Sequence, residues 1–248
     1  GTSTGSLVLN TAGTNVYANS FATFGSSNGL ANGGTPNVQN LRGDNTVSGN
    51  MTIAATGGNG INLASDGGLL TIAGTLSNAV ASSTRILGFG GVGQGVVSGP
   101  IVNGTAGGAV TNIVKAGAGT WSITNTANSF TGSPAILDGV LDAANLADTG
   151  LPSALGAGTA IQFSGQGTSG TLRYTGATAQ STNRTLQIDA TGGAIDSSGA
   201  GALTFTGAVT ANDPAALALN FTSGTNVAIN TAATVPGTVV GQRFTSPA

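Results

Sequence analysis

Apolar side chains recur along this chain at every second position in short bursts. They fall at Leu7 and Leu9, Met51 and Ile53, Ile61 and Leu63, Leu70 and Ile72, Trp121 and Ile123, Ile161 and Phe163, Leu172 and Tyr174, Leu186 and Ile188, Leu203 and Phe205, at Leu217, Leu219 and Phe221, and at Val227 and Ile229. A period of two puts alternate side chains on one face of an extended segment, so each burst predicts a strand of about three to six residues with its apolar members turned inward. Turn signals separate the bursts, among them Gly57-Gly58-Asn59-Gly60, Asp66-Gly67-Gly68, Asp138-Gly139 and Gly192-Gly193, where glycine supplies positive φ. Strands this short and this closely spaced predict a coil of stacked rungs, about 20 to 25 residues per turn.

A local phrase returns at Gly74-Thr75-Leu76-Ser77, Gly119-Thr120-Trp121-Ser122, Gly170-Thr171-Leu172-Arg173 and Gly201-Ala202-Leu203-Thr204. The expectation is that it marks the same corner in successive rungs, although the copies are unevenly spaced.

Composition sharpens this into an all-β reading. With 39% hydrophobic and 6% charged residues, the 248-residue chain is too apolar for disorder. Thr, Ser, Asn, Gly and Val carry much of its length, glutamate is absent and Lys115 is the lone lysine, so helix is disfavoured. Large aromatics are few, and stability must come from many small contacts and long backbone ladders. The whole of 1–248 is read as a single β-helical domain.

Chemistry is thin. The chain holds no histidine, cysteine or glutamate, which removes the side chains most used for proton transfer, nucleophilic attack and metal binding. Its six cations, Arg42, Arg85, Lys115, Arg173, Arg184 and Arg243, are scattered, which argues against nucleic acid. So little charge favours self-association. No apolar run reaches the roughly 18 residues of a membrane helix, so no membrane span is expected in this segment, and the absence of cysteine fits an oxidising exterior.

Between Ile113 and Leu155 three runs occur in order: Ile113-Val114-Lys115-Ala116-Gly117-Ala118-Gly119-Thr120-Trp121-Ser122-Ile123, Asn128-Ser129-Phe130-Thr131-Gly132 and Ile136-Leu137-Asp138-Gly139-Val140-Leu141. This stretch, 113–155, closely resembles the autotransporter-associated β-strand repeat, whose pattern reads L-x-K-x-G-x-G-T-L-x-L, then N-x-Y-T-G, then V-x-x-G-x-L. Phe130 stands for the usual tyrosine, Trp121 for leucine and Ser133-Pro134 for Gly-Thr. The resemblance implies a right-handed parallel β-helix, or β-solenoid, with short strands and Gly/Asn-rich turns, exported from a bacterium, in which the repeat is a structural spacer. It brings no catalytic residue, cofactor or metal ligand.

Several motifs are weighed and set aside. Gly25-Ser26-Ser27-Asn28-Gly29 has the letters of a nucleophile elbow but no histidine exists to serve it. Gly88-Phe89-Gly90-Gly91-Val92-Gly93 fits G-x-G-x-x-G, yet Gln94-Gly95-Val96-Val97 reads as turn and strand rather than the helix a dinucleotide requires; the stretch is a tight loop or an insertion from the coil. Gly57 to Asn62 suggests one nonapeptide of a calcium β-roll without its aspartate, and a β-turn is preferred. The carboxylate pairs Asp138 and Asp142, and Asp189 and Asp196, are near enough in sequence to be weighed for glycoside hydrolysis, but Asp138 opens an Asp-Gly turn and Asp213 precedes Pro214. Lys115 raises intramolecular isopeptide formation, against which stands a solvated corner position. Asn50, Asn103, Asn183 and Asn220 open N-x-S/T sequons that an Asn/Thr-rich chain produces by chance.

The functional expectation is an extracellular structural protein of a bacterial surface rather than an enzyme: a stalk or self-assembling filament subunit, with adhesion or glycan contact through its exposed ladders. The alternatives are a spacer in a longer autotransporter passenger and a polysaccharide-degrading β-helix. Gly1 to Leu9 and Val235 to Ala248 carry little charge to cap the terminal rungs, so head-to-tail pairing between copies is expected. No catalytic, cofactor-binding or metal residue is assigned, and no cofactor is expected.

Overall fold

The computed structural model describes residues 6–22, 34–54, 60–165, 168–189, 191–197, 201–211, 219–222 and 227–229. Every regular element among them is a strand, and each strand pairing within the sheets is parallel. The expected parallel β-helix is what forms. The nucleophile-elbow letters at 25–29, most of the turn at 57–60, Leu217, Asp213-Pro214 and 235–248 lie outside the described residues.

Three faces build each coil. On the first, Leu7–Tyr17, Val38–Val47, Gly60–Ser65, Thr84–Gly90, Val110–Lys115, Ala135–Ile136, Ala160–Phe163, Thr185–Ile188 and Val209–Ala211 follow one another along the axis. On the second, the later parts of Leu7–Tyr17 and Val38–Val47 continue into Leu69–Ile72, Gln94–Val97, Thr120–Ile123, Val140–Ala143, Thr171–Tyr174, Gly193–Asp196 and Leu219–Thr222. The third is interrupted: Phe21–Ala22, Met51–Ile53 and Leu76–Asn78 form one short ladder, Gln180–Thr182, Leu203–Phe205 and Val227–Ile229 another. Between them, among the described residues, stand isolated bridges at Leu76 to Ile101 and Asn128 to Ser153.

Register stacks like on like. One inward column runs Val38, Leu63, Phe89, Lys115, Ile136, Phe163, Ile188, and another runs Leu70, Gly95, Trp121, Leu141, Leu172, Ile195. The side chains of these columns fill the core and are inaccessible to water. Three strands exceed the expected length: Thr84–Gly90 by one residue, and Leu7–Tyr17 at 11 residues and Val38–Val47 at 10 because their pairing continues through the bend between the first two faces.

The size of a coil varies. Ile61, Leu87 and Ile113 succeed one another at 26 residues, whereas Trp121 to Leu141 takes 20 and Leu141 to Leu172 takes 31. The repeated phrase does not mark one corner: Gly119-Thr120-Trp121-Ser122 and Gly170-Thr171-Leu172-Arg173 enter the second face, while Leu76 and Leu203 of the other two copies sit on the third. A turn followed by an inward apolar residue describes every entry into a strand, so the phrase identifies a strand start without saying which face it joins.

Candidate functional site

Three polar constellations stand out against this apolar core. The first is the corner at Lys115. Its side chain takes the inward column between Phe89 and Ile136 and is fully buried, which overturns the solvated position expected for it. The column makes the reason plain: the four-carbon stem is long enough to pack as an aliphatic residue while the ammonium reaches the adjoining turn. Nζ donates to the carbonyls of Ala116 at 3.2 Å, Gly117 at 2.5 Å and Asp138 at 3.0 Å. Those carbonyls belong to two successive coils, whose turns carry Gly117 and Gly139 at φ of 77° and 61°. Burial pushes the amine down to about 8, against the pull of the Asp138 carboxylate. These carbonyl bonds are unlike the Lys-to-amide or Lys-to-carboxyl contact that isopeptide chemistry begins from. At the same bend in earlier coils buried asparagines play this part: Asn40 donates to Gly43 and Gly67 carbonyls and accepts from Asn45 at 2.6 Å.

The second is Arg184, also fully buried. Its guanidinium donates to the carbonyls of Ala147, Leu151, Leu155 and Gly156 and to Ser153 Oγ, tying down the long excursion of the preceding coil. Burial lowers its pKa to about 10, opposed by Asp148. Asn128 donates to Ala154 from the opposite side, and Asn183 and Asp148 exchange side-chain acceptors for backbone donors of Thr149 and Asn183. The sequence offered Arg184 as one of six scattered cations and as a residue of the sequon at Asn183, and neither marked it as buried.

The third lies on the outer side of the second face, where Ser122, Asp142, Arg173 and Asp196 are register neighbours in one row. Arg173 forks onto Asp142, Nε to Oδ1 at 2.7 Å and a terminal nitrogen to Oδ2 at 2.8 Å, and Ser122 Oγ donates to Oδ2 at 2.9 Å. The bond to Asp142 is the main cause raising the Arg173 pKa.

The carboxylate pairs singled out from sequence are thereby placed. Asp142 is held in the ion pair, and Asp138 accepts from the Gly139 amide at 2.8 Å, completing its own turn. Asp189 follows a strand of the first face and Asp196 ends one of the second, in the row of Arg173. The G-x-G-x-x-G letters occupy the end of Thr84–Gly90 and the bend before Gln94–Val97, so they are ordinary corner and strand rather than an insertion, and no helix follows to receive a phosphate. Gly91 takes φ of 91° at that bend. The side-chain oxygens of Asn50 and Asn103 accept backbone amides of Thr75 and of Thr111 and Thr131. These sequon asparagines fill gaps in the axial ladder. Among the described residues no three acidic side chains gather as a metal cluster, and no helix is long and apolar enough to cross a membrane.

No protein-family model matches the sequence, and no solved structure matches it. The chain is similar to the adhesin BmaC autotransporter of Brucella suis biovar 1 (strain 1330), at 33% identity over 214 residues. The match covers 82% of this chain and spans 6% of that relative's length. Similarity to an autotransporter adhesin and a β-solenoid fold together fit a passenger-type surface protein.

Proposed function

We propose that this chain is a structural segment of a bacterial surface protein, a β-helical stalk that works outside the cell and adheres through its outward rows. The observation that supports it is the parallel stack itself, in a chain similar over most of its length to an adhesin. A rod held by axial hydrogen bonds and a thin apolar core extends without needing a site, and its outward Thr, Ser, Asn and Gln rows present polar groups for weak contacts, glycans included. The role is mechanical and adhesive rather than catalytic, since two of the four candidate carboxylates serve the fold.

The rod is also proposed to associate with its own kind. Among the described residues the strand Leu7–Tyr17 is paired along one edge, to Val38–Val47, and an open parallel edge accepts another strand. Negative-stain images over a concentration series test this: lengthening rods are expected, and particles of constant length would remove the filament while leaving the stalk.

Adhesion is tested by coating beads with the purified segment and measuring retention under flow on epithelial monolayers. Retention above that of beads bearing the heat-denatured segment is expected. Equal retention would overturn adhesion and favour a second reading, a spacer that holds other parts away from the cell. The small share of the relative's length that the segment spans supports that reading.

A further inference from the structure

A chain rich in Gly, Ala, Ser and Thr faces a choice that a varied sequence does not. Its repeated Gly-Thr-Leu phrase serves two different faces, and coil size ranges from 20 to 31 residues across neighbouring turns. Thr120, Val140 and Thr171 occupy one outward row in three successive coils. Pairing Thr120–Ile123 directly onto Thr171–Tyr174, with the short coil between them looped out, would still stack Trp121 on Leu172 and Ile123 on Tyr174. The stacked pairs themselves do little to discriminate against that slip, whose apolar cost falls on the side chains of the looped coil, Ile136 and Leu141 among them.

We infer that Lys115 is a register key: a buried cation that is satisfied only when the coil carrying it and the coil carrying Asp138 are stacked as neighbours. Its three acceptors are the Ala116 and Gly117 carbonyls of its own turn and the Asp138 carbonyl of the following one. A slip that removes the following coil takes away the Asp138 carbonyl and the nearby Asp138 charge while leaving the ammonium in an apolar column. Leaving a buried charge short of partners costs far more than exchanging one aliphatic contact for another. A key of this kind adds specificity against the wrong stacking, and its net contribution to native stability need not be favourable. Arg184 bonds in the same manner, its acceptors lying 28 to 37 residues earlier in the preceding coil.

The absence of cysteine from the chain makes the register directly readable. A Thr120→Cys/Val140→Cys pair sits on register partners and suits a disulfide; Thr120→Cys/Thr171→Cys lies two strands apart, about 9.6 Å, beyond disulfide reach. Each pair is refolded from denaturant under oxidising conditions and the cross-linked fraction is measured by peptide mass mapping. With Lys115 present the first pair closes and the second does not. In Lys115→Met the second pair is expected to close at least about tenfold more often, the ratio that losing roughly 1.4 kcal/mol of discrimination produces. Ile136→Ala, the apolar neighbour in the same column, is expected to lower stability with the native cross-link pattern kept. Lys115→Gln gives the same reading as Lys115→Met should the latter refold poorly. An unchanged pattern in both Lys115 variants overturns the inference, as does a slipped pattern that Ile136→Ala produces equally.

Discussion

Residues 60–123 and residues 124–192 solve the same problem with different means. In the first stretch coils follow at 25 or 26 residues, all strands of the first two faces are at least four residues long, and the inward columns are aliphatic or aromatic apart from Gly95 and, at the far end, Lys115. In the second, coil size swings, one strand shrinks to Ala135–Ile136, and the third face, already reduced to a bridge at Ile101, has no ladder among the described residues until Gln180–Thr182. There the missing backbone pairs are replaced by side chains: Asn128, Asn145, Ser153 and Arg184 reach carbonyls and amides that a regular rung would have satisfied with its own backbone. Where coil size departs from the regular repeat, specific polar side chains take over pairing that the backbone would otherwise make.

If that contrast is right, the largest effect comes from Arg184. Arg184→Met strips the 147–156 excursion of its shared donor and is expected to cost about 3 to 4 kcal/mol, following the loss of one partner from a buried charged network. Hydrogen exchange should rise across 147–156 while 60–123 keeps its protection; uniform loss over both stretches would show that the two are not independent.

Lys115 stands at the junction and gives a pH signature. Its folded-state pKa, about 8, is below the ordinary 10.5, so the unfolded chain binds the proton more tightly and the burial penalty is fully present below pH 8. Stability therefore rises as pH climbs from about 8 to 10.5, by an amount on the order of 3 kcal/mol from this group. Urea melts at pH 7.5 and 10.5 check it, with Lys115→Met as the reference; a slope as large in that variant would refute the assignment.

The smallest effect is expected in the regular stretch. Trp121 lies over Gly95, its register partner in the preceding coil, stacks on Phe89 at 4.9 Å and donates from Nε1 to the Gly90 carbonyl at 2.9 Å. A Cβ on Gly95 would run into the indole. Gly95→Ala is expected to cost about 1 to 3 kcal/mol by overpacking, with a shift in the emission of the chain's single tryptophan. No change in either would mean that the coil spacing yields at this point.

The alternation of apolar residues placed nearly every strand it named, from Leu7 and Leu9 to Leu203 and Phe205, because inward side chains in a narrow solenoid have to be apolar. Gln94–Val97 reads as turn and strand but shows no apolar pair, for a physical reason: one inward position there is Gly95, emptied to receive the indole of the next coil. Lys115 misled because a lysine in a turn-rich stretch reads as solvated, and only the column exposes its stem as core. Which face a strand joins was not legible, since the repeated phrase serves two. The Asp142 and Arg173 pair was within reach: aligning Gly139-Val140-Leu141-Asp142 with Gly170-Thr171-Leu172-Arg173 puts Asp142 and Arg173 in one row.

That outward row changes character along its length. Thr46, Thr71, Val96 and Ser122 carry no charge, and Asp142, Arg173 and Asp196 follow them. Along this row the stack is thus chemically directional, neutral in its earlier coils and zwitterionic in its later ones. Ionic strength should alter what clings to the later half of the row more than what clings to the earlier half, so that a salt titration helps to report where along that row a partner has landed.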